Sequence, residues 1–484
     1  MTLRQISLAV LAAAALTGCA GRVVPPELPL IDAHSHVFNS GSLPIDGFLR
    51  AKGVPKWLAW MVRRLIDALT ADEARLAAAK IPKSDAQRLE AIVPTPEDRL
   101  DPSDGQLEAL GVELRLQLEA EGLSGPEVTQ KSVGGVIVRH LAWALLLTRP
   151  DTEIAARLLE TYPEVKLFTP CAMDMEFWFE GEKPSLPYAG QLDRLAKLVR
   201  CHEGKIHPFV AFDPERQRRS IGTTETGALE LVQRAIEEQG FLGVKVYPPL
   251  GYRPSGNARA HDRRGTCPFP ETRERAEAYD RALEELYAWC EREGVPIAAH
   301  CEDPGAESRR GCGTFADPAG WEAVLAAHPR LRLNLMHFGG VEDLLDNGAC
   351  SWAWEIGRLM QRYDHVYADV GAHEVPTDPD LARRFFAALE RLFKEYPRAR
   401  GRLMFGTDWH LLVRHEDHEE FPARYIDLYS EAIGGGDALA RFAAGAAVVV
   451  LGLRPGDANS NRMERFWGND RFAWITDTSP PAEN

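Results

Sequence analysis

The stretch Leu30-Ile31-Asp32-Ala33-His34-Ser35-His36 is an apolar run that ends in two histidines separated by one residue. In an extended strand the side chains at positions i and i+2 point to the same side, so His34 and His36 would present two imidazoles to one point. Imidazole is the commonest protein ligand for a catalytic transition metal. Such a pair also occurs by chance on protein surfaces, so its meaning depends on the rest of the chain.

The N-terminal segment has the layout of a targeting signal. Residues 1–18 carry one cation, Arg4, followed by the apolar segment Leu8–Leu16, which is too short to be a permanent transmembrane helix. The segment ends in Leu16-Thr17-Gly18-Cys19, which resembles the lipobox of bacterial lipoproteins. The resemblance implies that residues 1–18 are a signal peptide and that Cys19 carries a lipid anchor, at the outer membrane facing the periplasm. A plain secretory signal with an incidental cysteine is the alternative.

Composition excludes several classes of partner. The net charge is -15 and no basic patch stands out, which argues against nucleic acid and anionic lipid. We therefore expect membrane attachment through Cys19 alone. The eight cysteines contain no Cys-x-x-Cys pair, so a zinc ribbon is excluded, whereas an oxidising periplasm would permit a disulfide among Cys267, Cys301 and Cys312. The oligomeric state is not apparent from the sequence.

From about residue 161, short apolar runs alternate with helical stretches such as Ala228–Glu238 and Arg273–Arg292. With the first strand there are eight such runs, located at residues 30–36, 165–168, 206–212, 243–247, 295–300, 331–337, 365–370 and 403–408. This alternation predicts an α/β (β/α)₈ TIM barrel that spans residues 28–41 and 161–456. Residues 42–160 have helical periodicity and are interpreted as an insertion after strand 1, and residues 457–484 as a C-terminal tail. An open doubly wound sheet is the alternative, but no Gly-x-Gly-x-x-Gly follows a strand.

Polar side chains occur at or just after the ends of five of these runs. In a parallel barrel those ends converge on one face, where the chemistry takes place. Each residue has an ordinary explanation by itself, for example a buried core histidine or a capping aspartate. Six together on one rim are less easily explained by chance. They are His34, His36, Lys245, His300, His337 and Asp408.

The same residues carry a family resemblance. The motifs are Asp-Ala-His-Ser-His in strand 1, Ala-Ala-His-Cys-Glu in strand 5, Leu-Met-His-Phe-Gly-Gly in strand 6 and Met-Phe-Gly-Thr-Asp-Trp-His in strand 8. Together they resemble the amidohydrolase superfamily, and more narrowly the amidohydrolase-related family called amidohydrolase 2. The resemblance covers about residues 28–453, apart from the helical insertion. It implies one divalent metal, or two, with zinc expected.

The resemblance also implies roles for single residues. His34, His36 and Asp408 would bind the more buried metal, His300 that metal or a second one, and His337 a second metal or the substrate and water. Lys245 would be either a carboxylated lysine that bridges two metals or a free cation that binds an anionic substrate. A metal would lower the pKa of a bound water towards neutrality, and Asp408 would accept a proton from this water and return it to the leaving group. His337 would hydrogen-bond the developing oxyanion or help to deprotonate the water.

Several other polar residues are weaker candidates. His373 is predicted to contact the substrate, and Glu302 and Asp303 to orient ligands unless they are solvated rim residues. Arg139 and His140 of the insertion would contribute to the pocket, or else decorate an amphipathic helix. His410 is interpreted as structural, and His207 as buried packing.

Three functions are compatible with this site. The first is metal-dependent hydrolysis of an amide, ester or lactone bond in a small molecule. The second is metal-dependent, non-oxidative decarboxylation of a small organic acid, as relatives in this branch perform. The third, from another class, is an envelope-anchored binding protein on a degenerate barrel, although all the expected ligand types are retained.

Overall fold

The computed structural model describes residues 28–51, 146–179, 183–261, 267–303, 306–346, 351–413, 415, 417–469 and 471–475. The signal peptide with Cys19 lies outside the described residues, as do positions 52–145 of the helical insertion with Arg139 and His140. The described ends of that insertion contain one short helix, Ile45–Ala51, and most of a second, Asp151–Thr161.

Eight parallel strands follow one another along the described chain, with helices between most of them. The strands are β1 (Leu30–Ser35), β2 (Val165–Pro170), β3 (Phe209–Ala211), β4 (Gly243–Val246), β5 (Ile297–His300), β6 (Leu333–Met336), β7 (Val366–Asp369) and β8 (Leu403–Met404). β1 pairs with β2, and β3 to β8 form a six-stranded sheet in sequence order. The predicted α/β architecture with parallel strands is confirmed.

Further backbone contacts connect the two sheets at both junctions. Isolated parallel bridges join Phe168 to Ile206 and Cys171 to Phe209, between β2 and β3. At the other junction, the Ala33 N–H donates to Phe405 O at 3.1 Å. These contacts place the end of β1 beside the segment that follows β8.

The helices flank the strands in the order expected for βα units. Their bounds are α1 (Ile45–Ala51), α2 (Asp151–Thr161), α3 (Tyr188–Cys201), α4 (Pro214–Ser220), α5 (Ala228–Glu238), α6 (Asn257–His261), α7 (Arg273–Glu293), α8 (Glu322–Ala327), α9 (Val341–Asp346), α10 (Trp352–Arg362), α11 (Pro379–Glu395), α12 (Trp409–Leu412), α13 (Phe421–Ala432), α14 (Asp437–Ala440), α15 (Ala446–Val450) and α16 (Ala458–Trp467). The longest, α7, begins where the Thr272 side chain accepts the Arg275 N–H and ends at Gly294 in the left-handed conformation (φ 65°). Local capping therefore determines its length.

Strand side chains alternate between two apolar clusters, as the two-residue period of a strand requires. One side packs against the helices, with members such as Val244, Leu333 and Val366. The other side forms a separate cluster with the C-terminal segment around Val448 and Met463. The strand members of this inner cluster are Ile31, Ala33, Leu167, Phe209, Ala298, Met336, Tyr367 and Met404.

The C-terminal segment is part of this core. Within the predicted tail, residues 457–484, the helix α16 packs against the rest of the chain. The fully buried Asn459 donates through Nδ2 to Leu242 O and to Leu451 O, each at 2.7 Å. Arg462 donates to Glu293 O at 2.7 Å. These bonds attach the segment to the amino end of β4 and to the end of α7.

Two strands are shortened most, each by four residues relative to its predicted run. The run at residues 206–212 yields only Phe209–Ala211, because Pro208 has no N–H to donate to a ladder. The run at residues 403–408 yields only Leu403–Met404. After Met404 the backbone turns away to other partners, and the Thr407 N–H donates to His34 O at 3.1 Å. Tertiary contacts therefore replace the ladder at the place where the site residues begin.

A disulfide joins Cys267 to Cys312, two of the three cysteines that the sequence singled out. The third, Cys301, is a buried free thiol that donates to Ala316 O at 3.2 Å. Among the described helices, none is both long and apolar enough to cross a membrane.

Candidate metal centre

Three of the predicted ligands come together at the carboxyl ends of the strands. His34 and His36 lie at the end of β1, and Asp408 follows β8 at the start of α12. Asp408 Oδ1 lies 3.4 Å from His36 Nε2 and 3.9 Å from His34 Nε2. One ligand atom from each residue falls within 4.8 Å of the others, a spacing suited to a single metal ion. All three side chains are largely buried.

The backbone explains why Asp408 reaches this position. Asp408 adopts the left-handed conformation (φ 52°, ψ 42°), which is uncommon for residues other than glycine but is tolerated by aspartate. Its N–H donates to His34 O at 2.6 Å. Asp32 lies two residues before His34 on the same side of β1. It accepts hydrogen bonds from the Thr407 N–H at 3.0 Å and from the Thr407 hydroxyl at 2.6 Å. These bonds hold the end of β1 against the segment after β8.

His34 and His36 each donate one ring N–H to the protein. His34 Nδ1 lies 3.0 Å from Asp369 Oδ1, and His36 Nδ1 lies 2.8 Å from Cys171 O. Because a carboxylate and a carbonyl can only accept, both rings carry their proton on Nδ1 and keep a lone pair on Nε2. The Nε2 atom of His34 is buried and has no hydrogen-bond partner among the described residues. This is the arrangement that metal-binding histidines require.

His300 and His337 lie next to this group but are not within its 4.8 Å limit. The His337 ring centroid is 4.6 Å from those of His34 and His300. His300 Nε2 donates to Glu302 O at 2.8 Å, and His337 Nδ1 donates to Gly371 O at 3.0 Å. Each ring therefore also keeps one nitrogen with a lone pair. The structure therefore places His337 beside His34, and His300 beside His337.

Lys245 and His373 are both buried nearby, each with its own partner. The Lys245 ammonium, on β4, contacts the Met336 thioether at 2.6 Å, and no carboxylate lies within ion-pair distance of it among the described residues. Burial lowers the pKa of Lys245. His373 donates through Nε2 to His337 O at 2.7 Å, so it holds the backbone of a site residue. Its predicted contact with a substrate stays a prediction.

Burial favours the neutral form of three histidines at the site. It lowers the pKa values of His34 and His337 well below the ordinary value, and that of His300 to about 3, with Lys245 and neighbouring histidines acting in the same direction. Neutral imidazole is the form that binds a metal. Burial also raises the pKa of Glu302 to about 7, helped by the charge of Asp408. Glu302 Oε2 lies 3.5 Å from His337 Nδ1, which places this carboxyl beside the site.

The structure also describes three weaker candidates from the sequence. The fully buried His207 donates through Nδ1 to Gly240 O at 2.7 Å, so its interpretation as packing is confirmed. Asp303 lies in the loop after β5. The backbone of His410 lies in α12.

Sequence reasoning missed two buried aspartates. Asp32 bonds to Thr407 as described, and burial raises its pKa to about 7. Asp369, the last residue of β7, accepts from four donors, including His34 and Asn334. Asp369 follows the rule used for the other candidates because it is the last residue of β7, and that position was the available signal. Asp32 lies in the middle of β1, where the rule does not apply.

The donor set fits a divalent metal. Two neutral imidazoles and one carboxylate converge, and a buried ring nitrogen points to no protein partner. Nitrogen and carboxylate oxygen are ligands that zinc accepts, and three protein ligands leave a position open for water or substrate. Parallel strands with such a group at their carboxyl ends define a class of metal-dependent α/β enzymes.

Comparison with known proteins identifies the family. The amidohydrolase family model matches residues 173–438, which is more than half of the chain, and the protein belongs to this family. The match includes Lys245, His300, His337 and Asp408, whereas His34 and His36 precede it. No curated protein matches the chain.

Comparison with solved structures gives partial matches, three of which come from bacteria. An uncharacterised TIM-barrel protein from Bordetella bronchiseptica is 16% identical, over 65% of this chain and 89% of that one, with a TM-score of 0.41. An amidohydrolase from Burkholderia multivorans with bound zinc is 14% identical, over 64% and 91%, with a TM-score of 0.38. A 2,6-dihydroxybenzoate decarboxylase from Rhizobium is 14% identical, over 62% and 87%, with a TM-score of 0.38.

Proposed function

We propose that this protein is a metal-dependent hydrolase that acts on an amide, ester or lactone bond of a small molecule. The observation that carries the proposal is the convergence of His34, His36 and Asp408, with both imidazoles oriented by hydrogen bonds from Nδ1. We further propose that the eight strands form a complete barrel, which the contacts between β1 and the segment after β8 support.

In this proposal His34, His36 and Asp408 hold the metal, with His300 as a further ligand, and zinc is the metal that suits these donors. When bound, the metal would lower the pKa of a coordinated water and act as a Lewis acid towards the substrate. Asp408 holds the proton that the attacking water releases and returns it to the leaving group. His337, whose Nδ1 donates to Gly371 O, keeps a lone pair on Nε2 and would accept a hydrogen bond from the attacking water and help to deprotonate it.

Lys245 has two possible roles, and its surroundings support both. A buried ammonium whose hydrogen-bond partner is a thioether is poorly stabilised as a cation. It gains an anionic partner if a substrate carboxylate binds. If the neutral amine instead takes up CO₂ and releases a proton, the resulting carbamate is an anion that would bind metal. Metal content distinguishes the two roles. Replacing Lys245 by Ala lowers two metals per chain to one or none if the carbamate exists, and leaves one metal unchanged if it does not.

The reaction is tested on purified protein with defined metal content. Hydrolysis in H₂¹⁸O should place one labelled oxygen in the product, and chelation should abolish turnover until zinc is restored. Asp408→Asn should lose turnover while it retains part of the metal. Asp380→Asn, an exposed position in α11, is the matched control and should behave as wild type.

Other outcomes of this experiment would identify a different function. Release of carbon dioxide from candidate acids without uptake of ¹⁸O would show that the protein is a decarboxylase and not a hydrolase. A purified chain that neither contains nor binds metal would refute the metal centre and favour a binding protein on a degenerate barrel.

We also propose that the protein is attached to the bacterial outer membrane through a lipid on Cys19 and faces the periplasm. The Cys267–Cys312 disulfide supports an oxidising compartment. In cell fractionation, Cys19→Ala should move the protein from the membrane fraction to the soluble fraction. Wild-type protein already in the soluble fraction would contradict the anchor.

The insertion at residues 42–160 follows β1 and its His34–His36 pair closely in the chain. We propose that it contributes to the substrate pocket. Deleting this segment or exchanging it for that of a relative should change substrate preference and leave metal content intact. Loss of the metal would contradict this role.

A further inference from the structure

We propose that Asp369 is the positioning residue of the metal centre, which orients His34 through its side chain and His337 through its backbone. The proposal rests on the metal-dependent function above. Asp369 ends β7, which carries none of the proposed ligands. It is fully buried, so its carboxylate is stabilised by its partners rather than by water.

Four donors surround this carboxylate. Oδ1 accepts from His34 Nδ1 at 3.0 Å, from the Gly371 N–H at 2.9 Å and from the His337 N–H at 3.2 Å. Oδ2 accepts from Asn334 Nδ2 at 2.7 Å. Because all four partners are donors, the hydrogen bonds suit the ionised carboxylate. Bonds to both Oδ1 and Oδ2 determine the orientation of the side chain.

This arrangement determines which nitrogen of His34 can bind a metal. With Nδ1–H held by Asp369, the lone pair is on Nε2, the atom 3.9 Å from Asp408 Oδ1. A negative charge on the far side of an imidazole also makes it a stronger ligand. A neutral acceptor, such as the Cys171 carbonyl that holds His36, orients the ring without adding that charge.

The segment from Asp369 to Gly371 also positions His337. His337 adopts the left-handed conformation (φ 65°), which costs energy for a residue with a side chain. Its N–H bond to Asp369 offsets part of that cost, and its Nδ1 donates to Gly371 O at 3.0 Å. One short segment, residues 369–371, therefore contacts both histidines.

Gly371 provides a second, independent indication. A Cβ atom at this position would overlap His34 Nδ1 and lie 3.0 Å from Asp369 Oδ1. The His34 ring and the Asp369 carboxylate therefore occupy the space of a missing side chain. Glycine is needed here because the backbone approaches the His34–Asp369 hydrogen bond closely.

Asp369→Asn is the informative variant because the site can accommodate it. Its Oδ1 can stay opposite the three donors, and its Nδ2 can donate to Asn334 Oδ1, which has no partner among the described residues, once the Asn334 amide rotates. The variant therefore removes the charge and retains the shape. The double variant Asp369→Asn/Asn334→Asp restores one carboxylate to the pair, but away from His34.

The test measures zinc affinity of the full-length protein by competition with a chromophoric chelator, together with the melting temperature of the metal-free protein. Asp369→Asn should bind zinc roughly 10- to 100-fold more weakly, and Gly371→Ala should also bind more weakly. The double variant should bind zinc as weakly as Asp369→Asn does. Gly435→Ala, where a Cβ meets only Ser430 Oγ at 3.4 Å, is the matched control and should match wild type.

The outcomes separate this proposal from the proposed function. If wild type binds no zinc, the metal centre itself is refuted. If wild type binds zinc and Asp369→Asn binds it within threefold of wild type, Asp369 does not position a ligand. Recovery in the double variant, or a lower melting temperature with unchanged affinity, would show a merely structural carboxylate and overturn the proposal.

Discussion

Protonation of His207 should weaken the fold in mild acid. His207 is fully buried at the end of the strands opposite to the metal centre, where its ring packs against Trp467 and Phe472. Its Nδ1 donates to Gly240 O at 2.7 Å, and its Nε2 accepts from Trp467 Nε1 at 3.4 Å. A proton on Nε2 would place two donors face to face in a dry environment.

The magnitude follows from the pKa of His207, which burial lowers from 6.5 to about 4, although the bond to Gly240 opposes the shift. Because the folded pKa lies below the unfolded one, the unfolded chain binds more protons between these values. Stability is therefore complete above pH 6.5 and is lost as the pH falls. The loss is about 2 kcal/mol at pH 5 and approaches about 3 kcal/mol below pH 4.

The assay is urea unfolding at pH 7 and pH 5, with His207→Gln as the variant because glutamine can donate and accept but does not titrate in this range. The pH-dependent loss of unfolding free energy should be about 2 kcal/mol smaller in the variant than in wild type. His202→Gln, at a partly exposed position, is the control and should change the pH dependence less. If wild type and His207→Gln lose the same unfolding free energy between pH 7 and pH 5, protonation of His207 does not destabilise the fold.

Three further variants test the packing, each by its effect on the unfolding free energy in denaturant. Gly243→Ala would force a Cβ into the buried Phe209 ring and should cost about 1–3 kcal/mol. Replacing both Cys267 and Cys312 by serine opens a cross-link between residues 45 apart and should cost about 2–4 kcal/mol, measured without reductant. Asn459→Ala leaves two buried carbonyls without their donor and should cost about 2–3 kcal/mol.

Matched controls for these variants lie at exposed positions. Gly435→Ala, Cys201→Ser and Asn461→Ala should each stay within about 0.5 kcal/mol of wild type. A core variant as stable as its control would contradict the contact that it removes.

Much of the site could be predicted because the rule behind it is local. A buried parallel strand is a short apolar run, and its carboxyl end is the next polar residue, so His34, His36 and Asp408 could be found by reading along the chain. The structure places these three within 4.8 Å of one another. Where each strand ends was less predictable, because partners distant in sequence decide it, as at Thr407 and His34.

Asp369 and Asn459 illustrate what local patterns leave out. Asp369 is 335 residues from His34, and nothing beside it in the sequence distinguishes it from an ordinary aspartate at the end of a strand. Asn459 lies in a segment that reads as a tail, although it donates to a carbonyl 217 residues away. Their roles come from hydrogen bonds between distant segments, which periodicity and composition do not encode.

The sequence by itself determined the alternation of strands and helices and the residue types available at the strand ends, because side-chain periodicity is a property of neighbouring residues. The tertiary structure decided which of those side chains meet, which ring nitrogen keeps its lone pair, and which buried carboxylate supports His34. The physical reason is that a buried polar group must find a partner in three dimensions, and that partner is chosen by packing rather than by proximity along the chain.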